Sequence, residues 1–491
     1  MRILFVSSEV APFAKTGGLA DVSGALPAAL ARLGHDVKIV MPKYAAVDDR
    51  RWMLTAGRDI AVTVAGRDVR FTLWSGRLPD GPPGNPVDCY LLGHDRFFGR
   101  AGLYQEKGRD YPDNLERFSA FSRAAMAVPQ ALSWSPDVVH ANDWQTALIP
   151  LYLRTAGRQM PGDAAPATLF TIHNLAYMGL SPADGFPLLG LPPSYFTPET
   201  LEFYGQVNPL KAGLLFSTVL NTVSPTYSRE IQTPEFGCGL EGVLQLRRRD
   251  LFGVINGADY SQWSPSRDPH LSARYDAEDL EGKRVCKRAL QKACGLPTKA
   301  APLLGMITRL TAQKGVDLVL DALEELMQLE LQLVILGSGE PQLEQALQRA
   351  AERYPTKLSV RLAFDEPFAH RIEAGADGYL MPSKYEPCGL NQLYSLRYGT
   401  IPIARRTGGL ADTIIDATPS HLAAGTATGV LFETASGHEL LTAVRLTLGL
   451  YHQRAVWSRM IQAAMAADFS WDRSAREYVA LYERAIKAAG Q

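Results

Sequence analysis

Two doubly wound α/β domains are predicted for this chain, on three observations. The hexapeptide Thr-Gly-Gly-Leu-Ala-Asp occurs twice, at 16–21 and at 407–412. The chain opens with an apolar run at 3–6, a helix-like stretch at 19–33 closed by Gly34, and a second apolar run at 37–41. That order is a βαβ unit and implies a parallel sheet. From residue 303 onward, short apolar runs again alternate with helix-like stretches, the pattern of a second parallel sheet. Each hexapeptide follows a basic residue, Lys15 or Arg406, and joins an apolar run to a helix start. A strand, a glycine turn and a helix start leave backbone N–H groups free for an anion. One such turn near each end predicts two nucleotide-fold halves facing one cleft.

Between the opening unit and residue 110, the runs at 60–64, 69–74 and 87–92 read as local strands or hairpins. A long helix is predicted over 113–132. Short buried strands follow at 138–140 and 169–172, each ending in polar residues, where parallel sheets place their sites. In the second half, strands are predicted at 303–307, 333–336, 359–362, 378–381 and 401–404. Helices separate them at 316–328, 342–353, 368–374 and 390–398. The run 252–259, followed by Pro265 and Pro269, reads as a crossover. The expected domains are therefore 1–250 and 251–468. The segment 469–491, helical over 472–489, is expected to pack back on the first domain.

A length of 491 residues exceeds one typical core. Hydrophobic residues make up 46% and charged residues 21%, as in ordinary globular proteins. A net charge of −1 supplies no global field for nucleic acid or anionic membranes, and neither is an expected partner. The five cysteines are odd in number and form no C-x-x-C pair, which argues against a disulfide framework or a zinc cluster. Reduced thiols fit a cytoplasmic location. The first apolar run is too short for a signal peptide and is interrupted by Glu9. No run reaches the length of a membrane span.

Four groups of residues carry chemistry. Lys15, Gly17 and Gly18 combine a point charge with a backbone that a phosphate can approach. The spacing is neither the phosphate-loop lysine pattern nor G-x-G-x-x-G, so an ordinary ATPase or dehydrogenase is not indicated. A glycine required only by the strand-to-helix turn explains the same residues. Arg309 and Lys314 lie on the loop after the strand 303–307. Arginine forks and lysine supplies a point charge, a pairing suited to a diphosphate; a solvated basic loop is the other reading. Glu386 precedes Pro387 and a predicted helix. It is read either as a cap on that helix or as a carboxylate facing a sugar, with the Gly389 and Leu390 amides receiving a phosphate. Cys388 reads as a small buried residue rather than a nucleophile. The fourth group is His140, Asp143, Trp144 and His173, at the ends of the two short strands. Polar strand ends beside aromatic rings are a sugar-site composition, although a lone histidine is more often structural. No metal-binding or G-x-S-x-G motif occurs.

These segments together resemble the bacterial glycogen synthases, the ADP-glucose-dependent α-1,4-glucan synthases related to plant starch synthases. The resemblance runs from residue 2 to about 480. It is carried by 15–22 (Lys-Thr-Gly-Gly-Leu-Ala-Asp-Val), Phe97 and Phe98, Gly102 to Tyr104, and 110–114 (Asp-Tyr-Pro-Asp-Asn). It continues through His173 to Tyr177, 224–227, 233–237, 239–242, Asn256 with Gly257, 309–315, 386–390 and 406–412. The family implies a GT-B glycosyltransferase fold, two Rossmann-like domains facing a deep cleft, with no cofactor and no metal. It implies ADP-glucose as donor and an α-1,4-glucan such as glycogen as acceptor. Donor contacts are expected from Lys15, Gly17, Gly18, Asp21, Asn256, Cys388, Gly389, Leu390, Thr407 and Gly408. Glu386, Arg309, Lys314, His173 and Asp143 are expected to act on the reacting groups, and Tyr104 and Trp144 on the glucan. Two positions depart from the family pattern: Asn142 stands where the family often has His, and Met178 where it often has Gln. Both fall on the acceptor side.

The expected reaction is retaining glucosyl transfer. A UDP-glucose-dependent transferase or a glucan phosphorylase would share the fold, but no signature for pyridoxal phosphate is seen. A non-catalytic glucan-binding protein should have lost phosphate-binding positions, whereas Lys15, Arg309, Lys314 and Glu386 are all present.

Overall fold

The computed structural model describes residues 1–79, 81–155 and 165–490. It divides into two compact units, Met1–Gly257 with Trp471–Gln491, and Ala258–Ser470.

The first unit is built on a nine-stranded sheet: β1 (Arg2–Val6), β2 (Asp36–Pro42), β3 (Thr55–Val64), β4 (Arg67–Arg77), β5 (Asp88–Gly93), β6 (Val138–Asn142), β7 (Ala167–Ile172), β8 (Val219–Thr222) and β9 (Leu251–Gly253). The spatial order is β9-β8-β7-β6-β1-β2-β5-β4-β3. Seven strands run parallel, and β3 and β4 add an antiparallel hairpin at one edge. β1, β6 and β7 are almost wholly buried, as parallel strands covered on both faces must be. Chain order reverses between β1 and β6, which makes their carboxyl ends the natural ligand crevice. Helix α1 (Gly18–Arg32) follows β1, and α2 (Asn114–Ala131) precedes β6.

β9 extends the first sheet by pairing Leu220 with Leu251 and Thr222 with Gly253. The chain leaves this unit after Gly257, inside the run 252–259, whose first residues complete the edge strand β9. The chain returns as helix α5 (Trp471–Ala489), which packs on α1 and β7. Arg32 donates to Asp472 at 3.0 Å, Tyr482 hydroxyl meets His140 Nδ1 at 2.8 Å, and Asn221 donates to the Tyr478 hydroxyl at 3.0 Å. Tyr478 and Tyr482 are fully buried; burying each aromatic ring contributes roughly 2–3 kcal/mol to this docking.

The second unit carries a six-stranded, all-parallel sheet: β10 (Leu303–Ile307), β11 (Gln332–Leu336), β12 (Leu358–Arg361), β13 (Gly378–Met381), β14 (Ile401–Arg405) and β15 (Val430–Phe432). Its order is β12-β11-β10-β13-β14-β15. The reversal now falls between β10 and β13, so the loops after those two strands share one switch point. Helix α3 (Asn391–Arg397) follows β13, and α4 (Gly408–Thr413) follows β14. No helix among the described residues is long and apolar enough to cross a membrane.

Candidate active site

In the first unit the loop after β1 carries Lys15, Gly17 and Gly18, all exposed. Lys15 pairs with Asp21 in the first turn of α1, Nζ to Oδ1, at 2.7 Å. The turn itself is held by Glu9, a residue only 3% exposed. Its carboxylate accepts from Thr16 N at 2.5 Å, Thr16 Oγ1 at 2.6 Å, Gly17 N at 3.3 Å and the Tyr104 hydroxyl at 2.7 Å. The Thr16 and Gly17 amides thus do not point outward to an external anion, as the strand–turn–helix pattern predicts. They are engaged by an internal carboxylate. Glu9 escapes sequence reasoning because it reads as the acidic end of an apolar run. Its signal is the one that picks out Asp143, a polar residue at the carboxyl end of a parallel strand. Tyr104 also bonds Ser8 Oγ at 2.7 Å. Burial, with the Glu9 charge, pushes its phenol well above the ordinary range.

The neighbouring strand ends deliver Asp143 and His173. Asp143 follows β6 in left-handed backbone, φ 56°, which aspartate tolerates better than most residues. Its Oδ1 accepts from His173 N at 2.7 Å and from Asn174 N at 3.4 Å, joining the ends of β6 and β7. Burial pushes the Asp143 carboxyl up to about 7, against the two amide bonds. Burial also holds the His173 imidazole down to about 3, so it is neutral near pH 7. Both ring nitrogens of His140 are spent on Tyr482 and Thr171, so that histidine is structural.

Trp144 meets Phe118 edge to face, with centroids 5.1 Å apart. Gly179 lies over the indole so closely that a Cβ there would stand 2.2 Å from Trp144 Cε3. Trp144, Tyr111, Asn114, Tyr177 and Met178 line a cleft of about 420 Å³ within this unit. Tyr177, 49% exposed, offers a ring to its mouth. Asn256, 5% exposed, carries a buried amide Oδ1 without a partner among the described residues, an atom that ordinarily needs a donor.

The Asp143 value carries a stability prediction. Between about pH 4 and about pH 7 the folded state keeps a proton that the unfolded chain has lost, so stability falls as pH rises through that window. Asp143→Asn removes this penalty and tolerates the left-handed backbone. Thermal unfolding at about pH 8 should show the variant more stable by about 2–4 kcal/mol, with little difference at about pH 4. An equal shift at both values would refute the assignment to this carboxyl.

In the second unit, Lys314 and Glu386 meet across the switch point. Lys314 Nζ lies 2.6 Å from Glu386 Oε2, and Ser383 Oγ donates to the same oxygen at 3.0 Å. Glu386 is 5% exposed. Its other oxygen, Oε1, has no protein partner among the described residues. The loops are joined further by Lys384 N to Gln313 O at 2.8 Å and Lys384 Nζ to Asp317 at 2.5 Å. Arg309 follows β10 and is exposed. Helix α3 begins at Asn391, with Leu390 at its N-cap and no side-chain cap. Glu386 therefore does not cap that helix, and Pro387 lies outside its first turn. Of the two sequence readings, the helix cap is excluded. Cys388 is buried, and its carbonyl and that of Gly389 accept from Gln392 Nε2 at 2.9 and 3.1 Å.

The second hexapeptide is buried where the first is exposed. Thr407 is the N-cap of α4. A Cβ on Gly408, φ 44°, would stand 1.9 Å from Glu386 O, and one on Gly409 2.1 Å from Cys388 O. These glycines let α4 press against the loop that carries Glu386. Arg406, the basic residue before this copy, pairs with Asp416 at 2.8 Å and Glu433 at 2.6 Å.

The chain matches the family model of the starch synthase catalytic domain over residues 2–246 and that of glycosyl transferases group 1 over 290–463. It is 50% identical to glycogen synthase 1 of Methylococcus capsulatus over 492 residues, covering 99% of this chain and 97% of that protein. It is also 50% identical to the glycogen synthase of Anaeromyxobacter sp. strain Fw109-5, covering 98% and 99%. Among solved structures, the catalytic domain of starch synthase IV from Arabidopsis thaliana, bound to ADP and acarbose, superposes with a TM-score of 0.90 at 35% identity, covering 99% of each chain. Sucrose-phosphate synthase from Thermosynechococcus elongatus, at 17% identity and a TM-score of 0.60, shares the fold. Two parallel sheets with their switch-point loops, matched over nearly the whole chain by these relatives, leave one assignment: the chain belongs to the bacterial glycogen synthase family and is a glycosyltransferase of the GT-B fold.

Proposed function

We propose that the protein is a retaining glucosyltransferase that moves glucose from ADP-glucose to the non-reducing 4-hydroxyl of an α-1,4-glucan and releases ADP. The observation that carries this reading is the Lys314–Glu386–Ser383 cluster. It orients a buried carboxylate with one oxygen unpartnered, beside a cation, at a parallel-sheet switch point. The Arabidopsis relative with bound ADP supports a nucleotide diphosphate donor, and its acarbose supports an oligosaccharide acceptor.

In this reading the glucosyl–phosphate bond breaks because the departing diphosphate is stabilised. Preorganised charge is worth most where water is excluded. Arg309 and Lys314 neutralise the diphosphate, and the Gly389 and Leu390 amides receive the leaving phosphate. The Cys388, Thr407 and Gly408 backbone builds that loop. Glu386 Oε1 accepts from a donor-sugar hydroxyl. Lys15, Gly17, Gly18, Asp21 and Asn256 are the first unit's donor contacts. Asp143 and His173 stand by the acceptor, and the cleft beside Trp144 takes the glucan, with Tyr104 bracing the turn through Glu9. Attack on the face the ADP leaves, with the departing oxygen taking the acceptor proton, gives retention without a second carboxylate. The proposal calls for no cofactor.

The test is incubation with ADP-glucose or UDP-glucose plus glycogen, measuring chain extension, released nucleotide and the anomeric configuration of the new linkage by proton NMR. Faster extension with ADP-glucose and α linkages are expected. Extension with neither donor refutes the reading, and faster extension with UDP-glucose refutes the donor. Arg309→Ala should lower kcat by about 10²-fold, the size of losing one preorganised charge.

A further inference from the structure

We infer that Asn142 is a positioning residue that selects the tautomer of His173, so that Nδ1 presents its lone pair to a hydroxyl donor. Asn142 is fully buried at the end of β6. Its Nδ2 donates to Val6 O at 3.0 Å and faces His140 O at 3.5 Å. Turned the other way, the amide would aim its oxygen at two carbonyl oxygens and lose both contacts. Oδ1 therefore faces His173 Nε2, at 3.0 Å. A carbonyl oxygen only accepts, so Nε2 carries the proton and Nδ1 is bare. Nδ1 has no protein partner among the described residues and is not sealed from solvent. The backbone is fixed as well, since His173 N donates to Asp143 Oδ1 at 2.7 Å. Both ends of the residue are gripped by adjacent positions of β6 and the turn after it.

The consequence for glucosyl transfer, which rests on the function proposed above, is that His173 orients a sugar hydroxyl by accepting its proton in a hydrogen bond. It is a poor base, since burial keeps the ring from protonating near neutrality. A carboxylate in place of Asn142 would favour the imidazolium, whose Nδ1–H can no longer accept. The other titratable groups here are Asp143, bonded to the His173 amide, His140, which burial keeps neutral, and Glu9, whose charge raises the Asp143 carboxyl. All three are unchanged in such a variant.

Two measurements test the inference. In the full-length protein with ¹⁵N-labelled histidine, the His173 ring, assigned by the loss of its signals in His173→Gln, should show protonated Nε2 and bare Nδ1 at about pH 8, where an imidazole is neutral. The opposite tautomer at that pH would overturn the inference irrespective of any enzymatic activity. In the second, the rate of Asn142→Asp relative to the unsubstituted enzyme should fall roughly two- to tenfold between about pH 7.5 and about pH 5, because a carboxylate in direct contact raises an imidazole pKa by roughly 2–3, here from about 3. A ratio independent of pH in an active variant would overturn it. Absence of glucosyl transfer by the unsubstituted enzyme would instead defeat the proposed function and leave the NMR result standing.

Discussion

Alanine at position 386 is expected to slow glucosyl transfer by about 10²–10³-fold, the cost of removing a group aimed at the reacting charge. It also leaves the Lys314 ammonium, mostly buried beside it, without its carboxylate. Breaking a pair of this kind destabilises by roughly 3 kcal/mol, at the low end of the range because Lys314 retains some water. Glu386→Gln separates the two effects. It keeps the volume and the Ser383 hydrogen bond but drops the charge, so activity should fall while most of the stability remains. Lys314→Ala loses twice, as a phosphate cation and as the group that orients Glu386. Because the two side chains act as a unit, the double variant should be little slower than either single one. Turnover near the unsubstituted rate in Glu386→Gln, or fully additive losses, would remove this pair from the chemistry.

The second large effect is at Gly408. Alanine there would place a Cβ 1.9 Å from Glu386 O in left-handed backbone. Overpacking and the φ penalty together cost about 2–4 kcal/mol. The displaced atoms belong to the Glu386 loop, so activity should fall with stability. Gly17, at the corresponding position of the first copy, behaves differently. Its φ is −160°, open to any residue, and nothing lies within 4 Å of a Cβ. Gly17→Ala should change stability by less than about 0.5 kcal/mol. Any loss of activity there would then report a donor that approaches this backbone closely. Thermal unfolding and kcat of the two variants check the contrast. Equal destabilisation would show that the two turns are equivalent after all.

That contrast also marks how far the sequence could be read. Both copies are strand–glycine–helix turns, and local pattern is enough to find them. Which neighbour crowds each glycine depends on the loop from another strand, and that neighbour is distant in sequence. The alternation of apolar runs and helical stretches located β1, β2, β10, β13 and β14 within a residue or so. It missed β8, β9 and β15, which are four, three and three residues long. The stretch 316–328 reads as one helix and forms two, Val316–Asp321 and Leu323–Gln328. The buried Glu9 was legible only as an acidic residue ending a strand. Its four donors come from residue 104 and from a turn whose shape the sequence does not specify.

What the sequence determined by itself is the two-sheet α/β plan and the chemical inventory: cations at 15, 309 and 314, carboxylates at 143 and 386, and a histidine at 173. Those follow from short-range periodicity and residue type. The tertiary structure decided which of them act together. Lys314 and Glu386 are 72 residues apart, Glu9 and Tyr104 95, and Asn142 and His173 31. The first and third pairs meet because strand order places two carboxyl ends side by side, while Tyr104 reaches Glu9 from the connection between β5 and α2; parallel pairing is set by the packing of the whole sheet. Hydrogen bonding between the partners then decides which oxygen stays unpartnered, which nitrogen carries the proton, and hence what each residue can offer a substrate.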